Sequence, residues 1–171
     1  FVIGENGLDL ALKFGLPANQ IIKTGNWLGP LLVAAAENGV RKLLLFGYHG
    51  KLVKLSGGVF HTHHHLADGR LEILTSLAVK EGISFDLIQL ISKSTSVENA
   101  LVTLEQINSE AVKLIWARMS KEIEIKSKSY VNRYLSSSME IGSVLFDRKR
   151  QVRWAGSQGS KQIHSLGLIL K

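Results

Sequence analysis

Apolar positions in this chain fall either into short continuous runs or into stretches with helical spacing. Residues 1–4 (FVIG) form a short apolar run ending at a glycine, which predicts a strand. Leu8, Leu12 and Phe14 then suggest a short helix, closed by Gly15 and Pro17. Ile21 and Ile22 mark a second strand over residues 20–23, followed by the polar TGN. Residues 31–40 read as a helix, with Pro30 suited to a first turn, alanines at 34–36 and Gly39 at the stop. RKLLLFG at 41–47 is the clearest strand, continuously apolar between charge and glycine, as in a strand buried on both faces of a parallel sheet. Strand, helix, strand, helix, strand at this spacing predicts an α/β fold: a mainly parallel sheet with flanking helices.

Further on, residues 67–81 predict a helix stopped by Gly82, while FDLIQLI within 84–92 fits helix or strand. Thr95, Ser96, Val97 and Glu98 match a capping box. Behind it Val97, Leu101, Leu104, Ala111, Leu114 and Ile115 carry helix, broken near Asn108 and Ser109 and resuming to about Tyr134. Residues 139–147 and 151–155 predict two strands about the turn DRKR, a C-terminal β-hairpin. The serines at 136–138 mark the expected junction. It separates an α/β ligand-binding domain, 1–135, from a hairpin and basic tail, 136–171, packing on that domain or on a preceding N-terminal one. The chain starts at Phe1 with a strand already under way, which predicts a fragment of a longer protein.

Composition narrows the chemistry. The chain has no cysteine, which excludes disulfides and thiolate metal sites and leaves His, Asp and Glu as ligands for any metal. It has neither a membrane-length apolar run nor a secretory leader, so a cytoplasmic protein is expected. The net charge of +7 is uneven: residues 1–132 hold 14 Lys/Arg against 12 Asp/Glu, and residues 133–171 hold 7 against 2. Such a balance attracts anionic partners, whether nucleic acid, a membrane surface or a small polyanion.

Three segments place glycine-containing polar sequence just after a predicted strand: IGENG at 3–7, TGNWLG at 24–29 and FGYHGK at 46–51. Ligands of open α/β sheets bind beyond the carboxyl ends of the strands, where such loops gather. None of the three is a G-x-G-x-x-G or Walker A loop. Lys51 and Lys54 share a face in a helical turn, and two ammonium groups there suit carboxylate or phosphate. Four of the six histidines then fall within FHTHHHLADGR, residues 60–70. In an extended segment His61, His63 and His65 point one way and His64 the other. The row resembles half a zinc site, but its spacing to Asp68 is not that of H-x-H-x-D-H, nor is it H-E-x-x-H. An imidazole near its ordinary pKa can donate to carboxylates or take a proton. Asp68 can orient an imidazole or cap the following helix, and Arg70 can fork onto a carboxylate.

Gly25 and Asn26, the strand 43–47, Gly50-Lys51-Leu52 with Lys54, Gly58, and Thr62-His63 through Ala67-Asp68-Gly69-Arg70 resemble the most distinctive block of the cobalt-precorrin-5B C1-methyltransferases of anaerobic cobalamin biosynthesis. The opening strands and final hairpin are similar to that family's C-terminal half, so nearly the whole chain is covered. Many members carry histidine directly after the glycine that ends the strand, where this chain has Tyr48 and then His49. The family's N-terminal half, with an alanine-rich segment after a TTGTC-like motif, has no counterpart here.

The resemblance implies methyl transfer from S-adenosylmethionine to C1 of a cobalt-bound tetrapyrrole. Lys51, Lys54, His61, His65 and Arg70 would then grip the substrate's acetates and propionates, with His63 and Asp68 as the catalytic candidates. Gly4, Glu5, Asn26 and Gly47 would hold the cofactor, Glu5 or Asn26 on its ribose. Any metal would arrive inside the substrate, so no resident metal site is expected. A small polyanion also explains the positive charge better than nucleic acid, because aromatics do not alternate with the basic residues as a stacking platform requires. Two other readings stay open: a hydrolase with zinc on His61, His63, His65 and Asp68, and an anion- or nucleic-acid-binding module using the tail from Arg148 to Arg153. Oligomeric state is open too, a homo-oligomer included.

Overall fold

The structure is a computed structural model. It describes residues 1–171 except Gly4, His64, Leu66, Ala67, Leu170 and Lys171, and except the side chains of Glu5 and Asn6. Among the described residues five strands form one sheet: β1 (Val2–Ile3), β2 (Lys23–Thr24), β3 (Lys42–Tyr48), β4 (Glu140–Phe146) and β5 (Val152–Ala155). Their order is β2-β1-β3-β4-β5. The first four are mutually parallel and β5 runs antiparallel to β4, so the sheet is mostly parallel with a hairpin at one edge.

Helices cover both faces. On one side lie α1 (Glu5–Phe14) and α8 (Ser157–Ser165), whose Ala11 and Ile163 pack with Val2, Phe46, Val144 and Phe146. On the other lie α2 (Leu28–Glu37) and the long crossover α3 (His49–Ser56), α4 (Arg70–Lys80), α5 (Phe85–Ser92), α6 (Val97–Ile107) and α7 (Ser109–Asn132). Leu43 and Leu45 face that layer while Phe46 faces the other, as strand alternation requires. Both sides of β3 and β4 are therefore covered, which explains their near-continuous apolar sequence.

Several expected elements shift. The second strand lies at Lys23–Thr24 rather than 20–23, because Pro17 leads into a 3-10 turn over Ala18–Gln20 and Val2 pairs with Lys23. The ambiguous stretch is helix α5, with Ile91 buried in the helical layer. The capping residue of α6 is Ser96, which accepts from the Asn99 N–H at 3.1 Å; Glu98 does not close a capping box but turns to His49. The expected break before α7 is real, and the Asn108 side chain caps that helix by accepting from the Ala111 N–H at 3.0 Å. The predicted helix start at residue 67 lies outside the described residues; α4 begins at Arg70, with Gly69 as its N-cap.

Helix α8 has no counterpart in the sequence reading. Ile163 is its one large apolar residue, too little for a visible periodicity. The helix is held from its start: the Gln158 and Gly159 N–H groups donate to the buried Glu124 carboxylate of α7 at 3.1 and 3.0 Å. A carboxylate at a helix N-terminus satisfies orphan donors and opposes the helix dipole.

Candidate functional site

Strands β1 to β4 all end at one edge of the sheet. Their order puts the switch point between β1 and β3, where Ile3 pairs with Gly47. From there the chain leaves β1 toward the α1 layer and leaves β3 toward the α3 layer, so the connections diverge at the place where open α/β sheets bind their ligands.

The histidine segment returns to this edge and pairs with the loop after β2. The Gly29 N–H donates to the Phe60 carbonyl at 3.1 Å, and the Thr62 N–H to the Asn26 carbonyl at 2.9 Å. Trp27 and His61 form an isolated antiparallel bridge, their rings edge-to-face at 4.4 Å. The Thr62 hydroxyl bonds Asn26 Oδ1 at 2.8 Å. These four contacts fix the segment against a loop that is distant in sequence.

His61, His63 and His65 form a row, as an extended segment predicts. The His63 and His65 rings stack at 5.0 Å and 30°. The His63 N–H donates to His61 Nδ1, and the His65 N–H to His63 Nδ1, each at 3.3 Å. An Nδ1 that accepts a hydrogen bond leaves Nε2 to carry the proton of the neutral ring. His61 and His63 are thus set up as Nε2–H donors. No three His, Asp or Glu side chains among the described residues are arranged to hold a metal. His64 lies outside the described residues.

Beneath the row runs α3. Lys54 is buried, yet its ammonium donates to the His63 carbonyl at 3.0 Å and so ties the segment to the helix. Burial pushes its pKa below the usual lysine range, and Asp68 opposes that shift. Lys51, one turn earlier and partly exposed, has no partner among the described residues. Arg70 opens α4 and grips Asp68 with two parallel bonds, both 2.7 Å. That pairing pulls Asp68 below the ordinary carboxylate range and raises Arg70. Asp68 also accepts from the backbone N–H of Arg70, the first residue of α4, while the N-cap Gly69 supplies no side-chain bond. At 51% and 39% exposed, the two charges face solvent at the rim.

Of the cofactor candidates, Gly4 lies outside the described residues, as does the side chain of Glu5, which begins α1. Asn26 sits in the loop after β2 with Oδ1 engaged by Thr62. Gly47 closes the β1–β3 pairing; a Cβ there would meet Leu52 at 3.0 Å and Ile3 at 3.2 Å, so packing alone accounts for this glycine. Gly25 beside Asn26 faces open space.

One cluster was missed. His49, only 1% exposed, holds its Nε2 2.7 Å from Glu98 Oε2, and its ring meets Trp116 edge-on at 5.0 Å. Burial lowers the His49 pKa, against the pull of Glu98. The same Glu98 oxygen accepts from the Arg148 N–H at 3.4 Å, and the Tyr48 hydroxyl shares hydrogen bonds with Arg148 and Glu98. Burial raises Tyr48, and Arg148 counters it. The signal available in sequence was Glu98 itself, one residue into a helix already capped by a serine.

The fold is that of an α/β protein with a mostly parallel sheet, and the loops at its carboxyl edge bring Lys54, Asp68 and Arg70 together with the histidine row. The CbiD C-terminal domain family matches residues 61–157. The chain is 86% identical over its full length to a protein of Prochlorococcus marinus strain NATL2A named cobalt-precorrin-5B C(1)-methyltransferase, covering 45% of that protein. Proteins of the same name from two other strains of that organism, MIT 9313 and MIT 9312, are 58% identical over 167 residues and 52% over 163, each with 44% of its length covered. No solved structure matches. The chain belongs to the CbiD family, and it spans a little under half the length of these relatives.

Proposed function

We propose that the full-length protein is a cytoplasmic enzyme that transfers a methyl group from S-adenosylmethionine to C1 of cobalt-precorrin-5B, with the carboxyl edge of the sheet as its substrate rim. The observation that carries this is the meeting of Lys54, the Asp68–Arg70 pair and the row His61, His63, His65 at the carboxyl edge of the sheet, with Lys51 one turn before Lys54 on α3. The name of these relatives supplies the reaction.

The residues suit the chemistry. A corrinoid precursor presents several flexible carboxylates. Imidazole Nε2–H groups, a partly exposed ammonium and a guanidinium at the rim match them in charge and donor geometry. The buried Lys54 positions the histidine segment through the His63 carbonyl rather than reaching outward. Asp68 holds the Arg70 fork in one orientation, and a substrate carboxylate can exchange with it at low cost because the pair is solvated. His63, at the centre of the row, is the catalytic candidate we assign to the reacting part of the substrate, which it would meet with its Nε2–H donor.

The switch point is where a sheet of this kind would take a nucleoside donor, with the Gly25–Asn26 loop at the end of the neighbouring strand β2. Bound there, S-adenosylmethionine supplies an already activated methyl, so the chain need only orient the acceptor carbon and exclude water.

The test is calorimetric binding and turnover in full-length protein carrying Lys51→Ala or His63→Ala. Each is expected to weaken substrate binding or turnover on the order of tenfold or more while S-adenosylmethionine binding persists. Unchanged turnover in both variants overturns the rim. Stoichiometric zinc lost with His63→Ala favours the hydrolase instead.

A further inference from the structure

Strand β1 pairs over two residues with a neighbour that runs for seven. Its ladder is already under way at Phe1, whose amine donates to the Leu44 carbonyl at 2.7 Å while its carbonyl accepts from the Phe46 N–H at 2.9 Å. Val2 lies opposite Phe46, so the residue before Phe1 would fall opposite Leu44, the next opposite Leu43 and the third opposite Lys42. Along that flank of β3 lies a cavity of about 550 Å³. Leu31 and Ala35 of α2 line it from one layer; Leu16 and Leu166 line it from the other. A cavity walled by helices of both layers is a gap in the sheet itself. At its mouth Ile22 is 58% exposed although it belongs to the most apolar stretch between α1 and α2.

We propose that the polypeptide immediately upstream of Phe1 in the full-length protein continues β1 in parallel register along Leu44, Leu43 and Lys42, filling this gap with apolar side chains on both faces of the sheet. The family description places this chain in the C-terminal domain, and the relatives are more than twice its length, so such a segment is available. A strand is the occupant that fits. The flank of a parallel strand presents backbone N–H and C=O groups in alternation, and an apolar ligand would leave them unpaired. The amine points the same way: burial lowers its pKa from 8.0 to about 6, whereas a peptide N–H at that point makes the same bond to Leu44 without a charge.

Hydrogen exchange on full-length protein tests this, because the second residue before Phe1 would accept from the Leu44 N–H and donate to the Lys42 carbonyl. The Leu44 amide is expected to exchange as slowly as that of Leu145 in the adjoining strand. Proline at the second position before Phe1 should lower Tm by several degrees, and proline at the first position by clearly less, since that N–H faces away from β3. Rapid Leu44 exchange, or equal effects of the two prolines, overturns the proposal. So does native mass spectrometry showing a retained small molecule, or Leu44 protection that disappears on dilution as a second copy would require.

Discussion

His49 Nε2 lies 2.7 Å from Glu98 Oε2, joining the start of α3 to the first turn of α6 across 49 residues of chain. Burial keeps this imidazole neutral, and Glu98 is the main force opposing that. Because the folded-state pKa is lowered, folding stability is complete above the unfolded value of about 6.5 and declines as pH falls below it. Glu98→Gln should lower the His49 pKa further and extend the acid loss to lower pH. Urea unfolding of full-length protein from pH 8 to 5, with an NMR titration of His49, checks both. A His49 pKa that rises in the variant contradicts the assignment.

The Thr62–Asn26 hydrogen bond should act as the catch that seats the histidine row. Thr62→Val and Asn26→Ala are each expected to cost about 1 kcal/mol of stability. The double variant should cost less than the two together, because they break one bond. Substrate affinity should follow the same cycle. Full additivity in both measurements would show that the bond does not couple the loops.

Asp68 and Arg70 are a solvated pair, so Asp68→Asn should change stability by less than about 1 kcal/mol. Its effect should appear instead in substrate affinity, since the fork loses its guide. Arg70→Lys keeps the charge but not the two parallel bonds, and it should impair substrate binding more than it impairs folding. Equal loss of stability and affinity in Asp68→Asn would mark the pair as purely structural.

Close approach of α8 to β4 leaves no room at Gly159, where a Cβ would stand 2.2 Å from the Ser143 carbonyl oxygen. Gly159→Ala should therefore destabilise by about 3 kcal/mol, read as a lowered denaturation midpoint. Gly25→Ala, which faces open space, serves as the control and should be close to neutral in stability.

Much of this architecture is written locally. The run in β3 shows a strand buried on both faces, and Asn108 marks the break before α7 because a cap acts within one turn. The spacing of His61, His63 and His65 shows their common side, since strand alternation is a property of the backbone alone. What depends on distant partners was not legible. Helix α8 needs Glu124, thirty-four residues away from Gln158, to hold its first turn. Ile21 and Ile22 look like a strand but flank a gap, because β2 takes its register from Val2.

The sequence by itself determined the α/β class, the parallel core, the polar loops at its carboxyl edge and the family to which they belong, because periodicity and motif spacing are local. Only the tertiary structure decided which of those polar groups meet. It turned Asp68 toward Arg70, set Lys54 beneath the His63 carbonyl and closed Glu98 onto His49, because each bond joins groups whose separation is fixed by packing.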